Sequence, residues 1–380
     1  TRAPRPPAPA PARPNATAPA TTTRKPARDG YVLDWEAKGK TFFEGFDFHT
    51  FDGNHGASHY LASYEEAEAA GVAQTVETHA ILRAGKKSEY EFKRHTAKIG
   101  TTKAWKHFLA AMKYTHVPYG CGVWPAFFTL GTGAPWPHAG EMDILEYVND
   151  AGSMTSFHTA KECVLDAEEV NRFKPMPDAN RVENGGSNYN CRTEYCDTCT
   201  SLGCAPNAMP LYTGQQWANR PGVMAMERTE DFAKIFFIPE AEIPSELEGD
   251  APKPDATWDE RWLIAYYPFA ASPGCPNPDD IMGPQKFIFS IAFCGDWASK
   301  VWGSSPTCSR KGPVFNETAS EERLPVVAER QCRAVDPLAE YAPAEDCCTQ
   351  YVFDAEGAFG ADAELQATAF FNISWFKIFV

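Results

Sequence analysis

No run of about eighteen apolar residues occurs in this 380-residue chain, so the sequence offers no transmembrane helix. Basic residues are scarce beside acidic ones: 35 Lys and Arg against 50 Asp and Glu, a net charge of −15. That balance argues against nucleic acid or an anionic membrane surface as the partner. No internal repeat is present, which sets aside solenoids and propellers. Helical periodicity is also nearly missing; Ser63–Gly71 is the best candidate and it is short. Length and a 43% hydrophobic content support a sizeable core, in one large β domain or two smaller ones.

What is abundant is cysteine, aromatic side chains and short strand patterns. Twelve cysteines imply up to six disulfides and an oxidising compartment. Sequons at Asn15, Asn316 and Asn372 agree with secretion. The chain does not begin with Met, so an upstream signal peptide or N-terminal anchor is part of the expectation. Residues 1–28 hold eight Pro, eight Ala, five Thr and six basic residues with no acidic one, which leaves −21 for the rest of the chain. Such a segment has too little apolar surface to offset its ordering entropy, so residues 1–29 read as a disordered, extended spacer and 30–380 as the working domain. From Tyr31 onward, short strands alternate with Gly, Pro, Asn and Asp, for instance Thr41–Phe48, Gly122–Leu130, Met142–Val148, Met154–Thr159, Lys286–Ala292 and Ala369–Phe379. This pattern predicts an all-β sandwich. Residues 161–215 and 303–350 are poorly periodic and carry cysteines, as disulfide-tied surface loops do.

The most informative stretch is Gly140-Glu141-Met142-Asp143-Ile144-Leu145-Glu146. On a strand, Glu141 and Asp143 share a face. Glu146, three positions beyond Asp143, would enter the core unless a bulge at Ile144-Leu145 returned it to the Glu141 face. Burying an unpaired carboxylate costs several kcal/mol, so the bulge is expected. Carboxylates lining one open sheet surface suit acid–base chemistry on a glycosidic bond.

With Trp124-Pro125-Ala126-Phe127-Phe128 and Trp136-Pro137 upstream, this motif resembles glycoside hydrolase family 16, in its laminarinase-type endo-β-1,3(4)-glucanase branch. Thr41 to Phe48, Ser156-Phe157-His158-Thr159, Phe293-Cys294-Gly295-Asp296-Trp297 and Phe371 to Lys377 extend the resemblance over about residues 30–380. It implies a concanavalin-like jelly-roll β-sandwich with a concave substrate cleft. It implies Glu141 as nucleophile, Glu146 as general acid/base and Asp143, between them, hydrogen-bonding or sharing a proton with Glu141. His158 matches a cleft histidine, and Trp136 and Trp297 match aromatics that flank the cut site. Relatives commonly carry Trp where this chain has Phe128; by parity Phe128 shares the cleft face with Trp124. The implied activity is retaining hydrolysis of β-glucan by a secreted monomer. The alternatives are a non-catalytic glucan-binding lectin, which the intact carboxylates disfavour, and a wall-remodelling transglycosylase. No cofactor is called for, and a structural calcium ion has no readable signature. Cys191, Cys196, Cys199 and Cys204 are spaced compactly enough for zinc, but the oxidising context favours local disulfides or bridges to Cys163 or Cys275. Adjacent Cys347 and Cys348 are expected to bridge to different partners, such as Cys308 and Cys332.

Overall fold

A computed structural model describes residues 30–50, 55–90, 92–172, 189–193, 203–206, 212–254, 258, 260–311, 346–353 and 361–380. The expected spacer at 1–29, the cysteines Cys196, Cys199 and Cys332, and the sequons at Asn15 and Asn316 lie outside these residues.

The strands run in chain order as β1 (Leu33–Lys38), β2 (Phe46–Phe48), β3 (Ser58–Tyr60), β4 (Ala73–Thr75), β5 (Ala80–Arg83), β6 (Arg94–Thr96), β7 (Lys98–Thr101) and β8 (Phe108–His116). They continue as β9 (Val123–Gly131), β10 (Glu141–Glu146), β11 (Met154–His158), β12 (Gly222–Arg228), β13 (Ala233–Pro239), β14 (Leu263–Tyr267), β15 (Gln285–Phe293) and β16 (Phe370–Phe379). Among the described residues they form two large antiparallel sheets. One has the order β14-β13-β12-β8-β16-β5-β4, with β1 also on β16; the other is β11-β10-β9-β15-β7-β2. A short parallel pair, β3 with β6, stands apart.

The two sheets pack face to face as a jelly-roll β-sandwich. Phe376 of β16 lies 5.6, 5.2 and 5.5 Å from the rings of Phe127, Phe287 and Phe289 on the opposite sheet. Burying each ring contributes about 1.5–3 kcal/mol, and the edge-to-face geometry about 0.5–1.5 kcal/mol more. Alternation assigns the faces. On β9, Val123, Pro125, Phe127 and Thr129 turn inward, which leaves Trp124, Ala126, Phe128 and Leu130 on the outer face of the six-stranded sheet.

The helix expected at Ser63–Gly71 is present as Tyr64–Ala69, with the Ser63 hydroxyl accepting from the Glu66 amide at 3.2 Å. The expected entry strand Thr41–Phe48 is instead a 3-10 segment, Gly39–Gly45, followed by the three residues of β2. Phe42 and Phe43 are both buried in this tight turn, Phe42 stacking on Phe46 and Phe43 on Tyr64. Helices also occupy Cys347–Phe353 and Ala361–Thr368. No helix among the described residues is long and apolar enough to cross a membrane.

The disulfides correct part of the expected pairing. Cys191 joins Cys204 and Cys163 joins Cys275, so neither of the first two is a zinc ligand. Cys308 joins Cys121, and Cys348 joins Cys294, not Cys308 or Cys332. The helix at Cys347–Phe353 docks beside the end of β15, which sets Cys348 against Cys294.

Candidate active site

Register builds the site row by row across the outer face of the six-stranded sheet. Asp47, Gly100, Ile288, Phe128, Asp143 and Ser156 are successive cross-strand partners. The row on one side holds Lys286, Leu130, Glu141 and His158; the row on the other holds Lys98, Ser290, Ala126 and Glu146. The pairing skips between Asp143 and Leu145 on one edge of β10 and between Asp143 and Glu146 on the other. This is the expected bulge. It buries Ile144 and Leu145 in the core and returns Glu146 to the face of Glu141 and Asp143.

Strand β10 enters from Gly140, whose φ is +78° and whose missing Cβ would lie 2.6 Å from the Ile281 carbonyl oxygen. Only glycine fits that approach. Asp143 is 2% exposed, and its Oδ2 accepts from Ser156 Oγ at 2.5 Å and from His158 Nε2 at 3.1 Å. The other ring nitrogen of His158, Nδ1, lies 3.0 Å from Thr193 Oγ1. Burial opposes charging of His158, but the Asp143 hydrogen bond and the three nearby carboxylates outweigh it and push the imidazole up to about 9. It is therefore a cation at neutral pH, donating from both nitrogens.

Each glutamate has its own indole donor. The Trp124 indole donates to Glu146 Oε1 at 2.8 Å, and the Trp136 indole donates to Glu141. Burial, then the charge of Asp143, pushes Glu141 up to about 7, against the pull of His158, Lys98 and the Trp136 hydrogen bond. The same two causes, with Glu141 added, hold Glu146 well above the ordinary carboxylate range despite its bond from Trp124. The two crowded glutamates thus hold their protons to higher pH than exposed ones would.

The remaining residues expected at the site lie around this centre. Trp136 is 43% exposed, with its ring 6.3 Å from that of His158. Trp297 stands perpendicular to Trp124 at 5.5 Å. The turn that carries it, Gly295–Ala298, is pinned by Asn149, which donates from Nδ2 to the Ala298 carbonyl and accepts the Gly122 amide on Oδ1. Phe128 is on the expected face but only 8% exposed. It packs with Ala126, Leu130 and Ile288, and the Lys98 ammonium lies 5.7 Å from its ring centre. Phe128 therefore forms floor, not a projecting platform.

Sequence reading missed His55, Lys98, Thr193 and Asn149. His55 sets its ring edge against Trp124 at 4.7 Å, and its Nδ1 meets the Tyr60 hydroxyl at 2.6 Å. Thr193 arrives from a loop, and its contact with His158 depends on Gly203. At φ +75°, a Cβ on Gly203 would lie 2.3 Å from the Phe157 oxygen and 2.8 Å from His158 Nδ1. Gly203→Ala is therefore expected to cost more than about 1 kcal/mol and to lower turnover by displacing His158. Thermal unfolding and kinetics on that variant check both effects.

Residues 46–323 match the family model described as XgeA-like, catalytic GH16 domain. A protein of Schizosaccharomyces pombe named as a probable glycosidase is 32% identical over 73% of this chain and 62% of its own length. An endo-1,3(4)-β-glucanase of Arthroderma benhamiae is 30% identical over 77% of this chain and 61% of its own. The chain thus spans less than two thirds of these relatives. Among solved structures, one described as an elongating GH family 16 β-1,3-glucosyltransferase superposes with a TM-score of 0.65 at 25% identity, over 92% of this chain and 100% of that one.

Proposed function

As the chain belongs to glycoside hydrolase family 16, we propose that it is a secreted, retaining endo-β-1,3(4)-glucanase that cuts internal bonds of β-glucan by double displacement. The observation that carries this reading is the single face shared by Glu141, Asp143 and Glu146, with a separate indole donor on each glutamate. Glu141 attacks the anomeric carbon and forms a covalent glycosyl-enzyme, while Glu146 protonates the departing glycosidic oxygen. Glu146 then takes a proton from water, which attacks the anomeric carbon and releases Glu141. Trp124 fixes one oxygen of Glu146 and leaves the other to carry the proton. Asp143 and the His158 cation hold a balanced charge beside Glu141, so that it can ionise when substrate arrives. Trp136 and Trp297 offer ring faces to glucose on either side of the cut. A monomer is taken as the working unit, and no step calls for a cofactor. The four disulfides among the described residues support secretion.

Product analysis on laminarin, lichenan and agarose tests the proposal. Internal cleavage of laminarin with initial retention of the β-anomer is expected, and agarose turnover without glucan turnover would overturn the substrate assignment. Similarity to a glucosyltransferase favours a second reading, in which another glucan replaces water as acceptor. Products longer than the starting oligosaccharide would identify it.

The pH profile follows from the two glutamates. Glu141 must be ionised and Glu146 protonated, so kcat/KM is expected to rise with pH through an apparent value near Glu141's, pushed up to about 7, and to fall on the alkaline side as Glu146 deprotonates. His158 pulls Glu141 down, so His158→Asn is expected to move the acid limb to higher pH as well as lower kcat. Rate measurements from about pH 4 to about pH 9 on both proteins check the sign.

A further inference from the structure

Away from the cleft centre, three potential metal ligands converge on the parallel pair β3 and β6. His59 and His95 are direct cross-strand partners, with ring centres 5.0 Å apart. Glu89 reaches over them from a tight turn closed by the Ser88 amide on the Lys93 carbonyl and the Lys93 amide on the Tyr90 carbonyl. One Glu89 oxygen is 3.2 Å from His95 Nε2; the other is 3.9 Å from His59 Nδ1. One ligand atom from each of the three residues falls within 4.8 Å of the others.

We propose that His59, Glu89 and His95 form a binding site for one divalent transition-metal cation of the zinc class. His59 Nδ1 is buried and makes no hydrogen bond, since 3.9 Å is too long for one. A buried nitrogen left in that state is destabilising, and a cation held among the three residues satisfies it. Two imidazoles and one carboxylate suit zinc, nickel or copper, while calcium and magnesium demand oxygen ligands. Three protein ligands leave a position for water, and the Glu89 side chain is 65% exposed, which gives the ion an entry path. The scaffold is fixed beforehand. The His95 amide donates to the Lys86 carbonyl, the His95 carbonyl accepts the Gly85 amide, and buried Arg94 next to it is tied to Gly85, Val352 and Asp362. A second cluster of ligand type, Glu141 with Asp143 and His158, differs in that both ring nitrogens of its histidine already have partners.

The site is linked to the cleft through β3. Strand β3 ends at Tyr60, whose hydroxyl meets His55, and His55 packs on Trp124. An ion clasping β3 to β6 therefore stiffens the edge that backs the Glu146 donor.

Titration calorimetry with zinc chloride, and separately calcium chloride, on chelator-stripped full-length chain tests the proposal. One zinc per chain with micromolar or tighter affinity, a raised Tm and no response to calcium are expected. Glu89→Gln keeps the side-chain shape and is expected to weaken zinc binding at least about tenfold, the lower bound even for groups that only support a ligand. The double variant Glu89→Gln/His95→Ala is expected to bind no zinc while unfolding at the same temperature as the metal-free parent. No uptake by the parent overturns the proposal. So does stoichiometric zinc retained by the double variant, which would place the ion at Glu141, Asp143 and His158.

Discussion

In Glu141→Ala, laminarin hydrolysis is expected to fall by at least about 10⁴-fold, the scale seen when a covalent nucleophile is removed. Azide should restore bond cleavage in that variant by a single displacement, giving the glycosyl azide of inverted configuration. Stability should move the other way with pH. Glu141's proton is held up to about 7 in the folded chain, against an ordinary glutamate value near 4.5. The folded state therefore binds the proton more tightly than the unfolded one. The wild type loses stability as pH rises across that interval, and the variant has nothing to lose there. The difference is on the order of 1–3 kcal/mol. Glu141→Ala should thus gain Tm relative to wild type between about pH 5 and about pH 8. Full activity in the variant would remove Glu141 from the nucleophile role; a flat Tm difference would remove the crowding argument but not the role.

Reduction of the disulfides should have the largest effect on folding. Cys121–Cys308, Cys163–Cys275 and Cys294–Cys348 close loops of 187, 112 and 54 residues, and Cys191–Cys204 one of 13. At about 2–4 kcal/mol each, their combined contribution reaches the whole stability of a typical domain, about 5–15 kcal/mol. Under reductant and mild heat the chain is expected to unfold outright. The Cys294–Cys348 bridge is tied to function as well. Cys294 is held at φ +59° directly before the turn that carries Trp297. Cys294→Ser/Cys348→Ser should therefore lower Tm and raise KM for glucan together, as differential scanning calorimetry and kinetics would show. Loss of Tm with unaltered KM would mean that Asn149 alone holds the turn.

The shared face of the three carboxyls was legible because it is local. Glu141, Asp143 and Glu146 lie within six positions, and the cost of a buried charge was enough to require the bulge between them. His158 was legible only through the family resemblance, and Ser156 joins it on the same face by alternation along β11. What the sequence withheld is set at a distance. Lys98 reaches the face only through the register of β7 on β15, and His55 and Thr193 arrive from loops with no periodic signal. The cysteine partners depended on where the Cys347–Phe353 helix docks, which no spacing encodes. Phe42 and Phe43 misled because both are apolar and aromatic, a strand composition, although they lie in a tight helical turn.

Strand β16, at residues 370–379, does not sit on an edge. It lies between β8 and β5 in the larger sheet, and its Phe376 closes the interior against Phe127, Phe287 and Phe289. A ribosome making this protein will have released every residue of strand β10 long before the slot for β16 can be filled. Until then β8 and β5 present unpaired edges and the aromatic interior stays open. From the emergence of β8 until β16 arrives, the nascent chain thus carries an unfinished, aggregation-prone sheet, and the fold can close only after translation has passed residue 379.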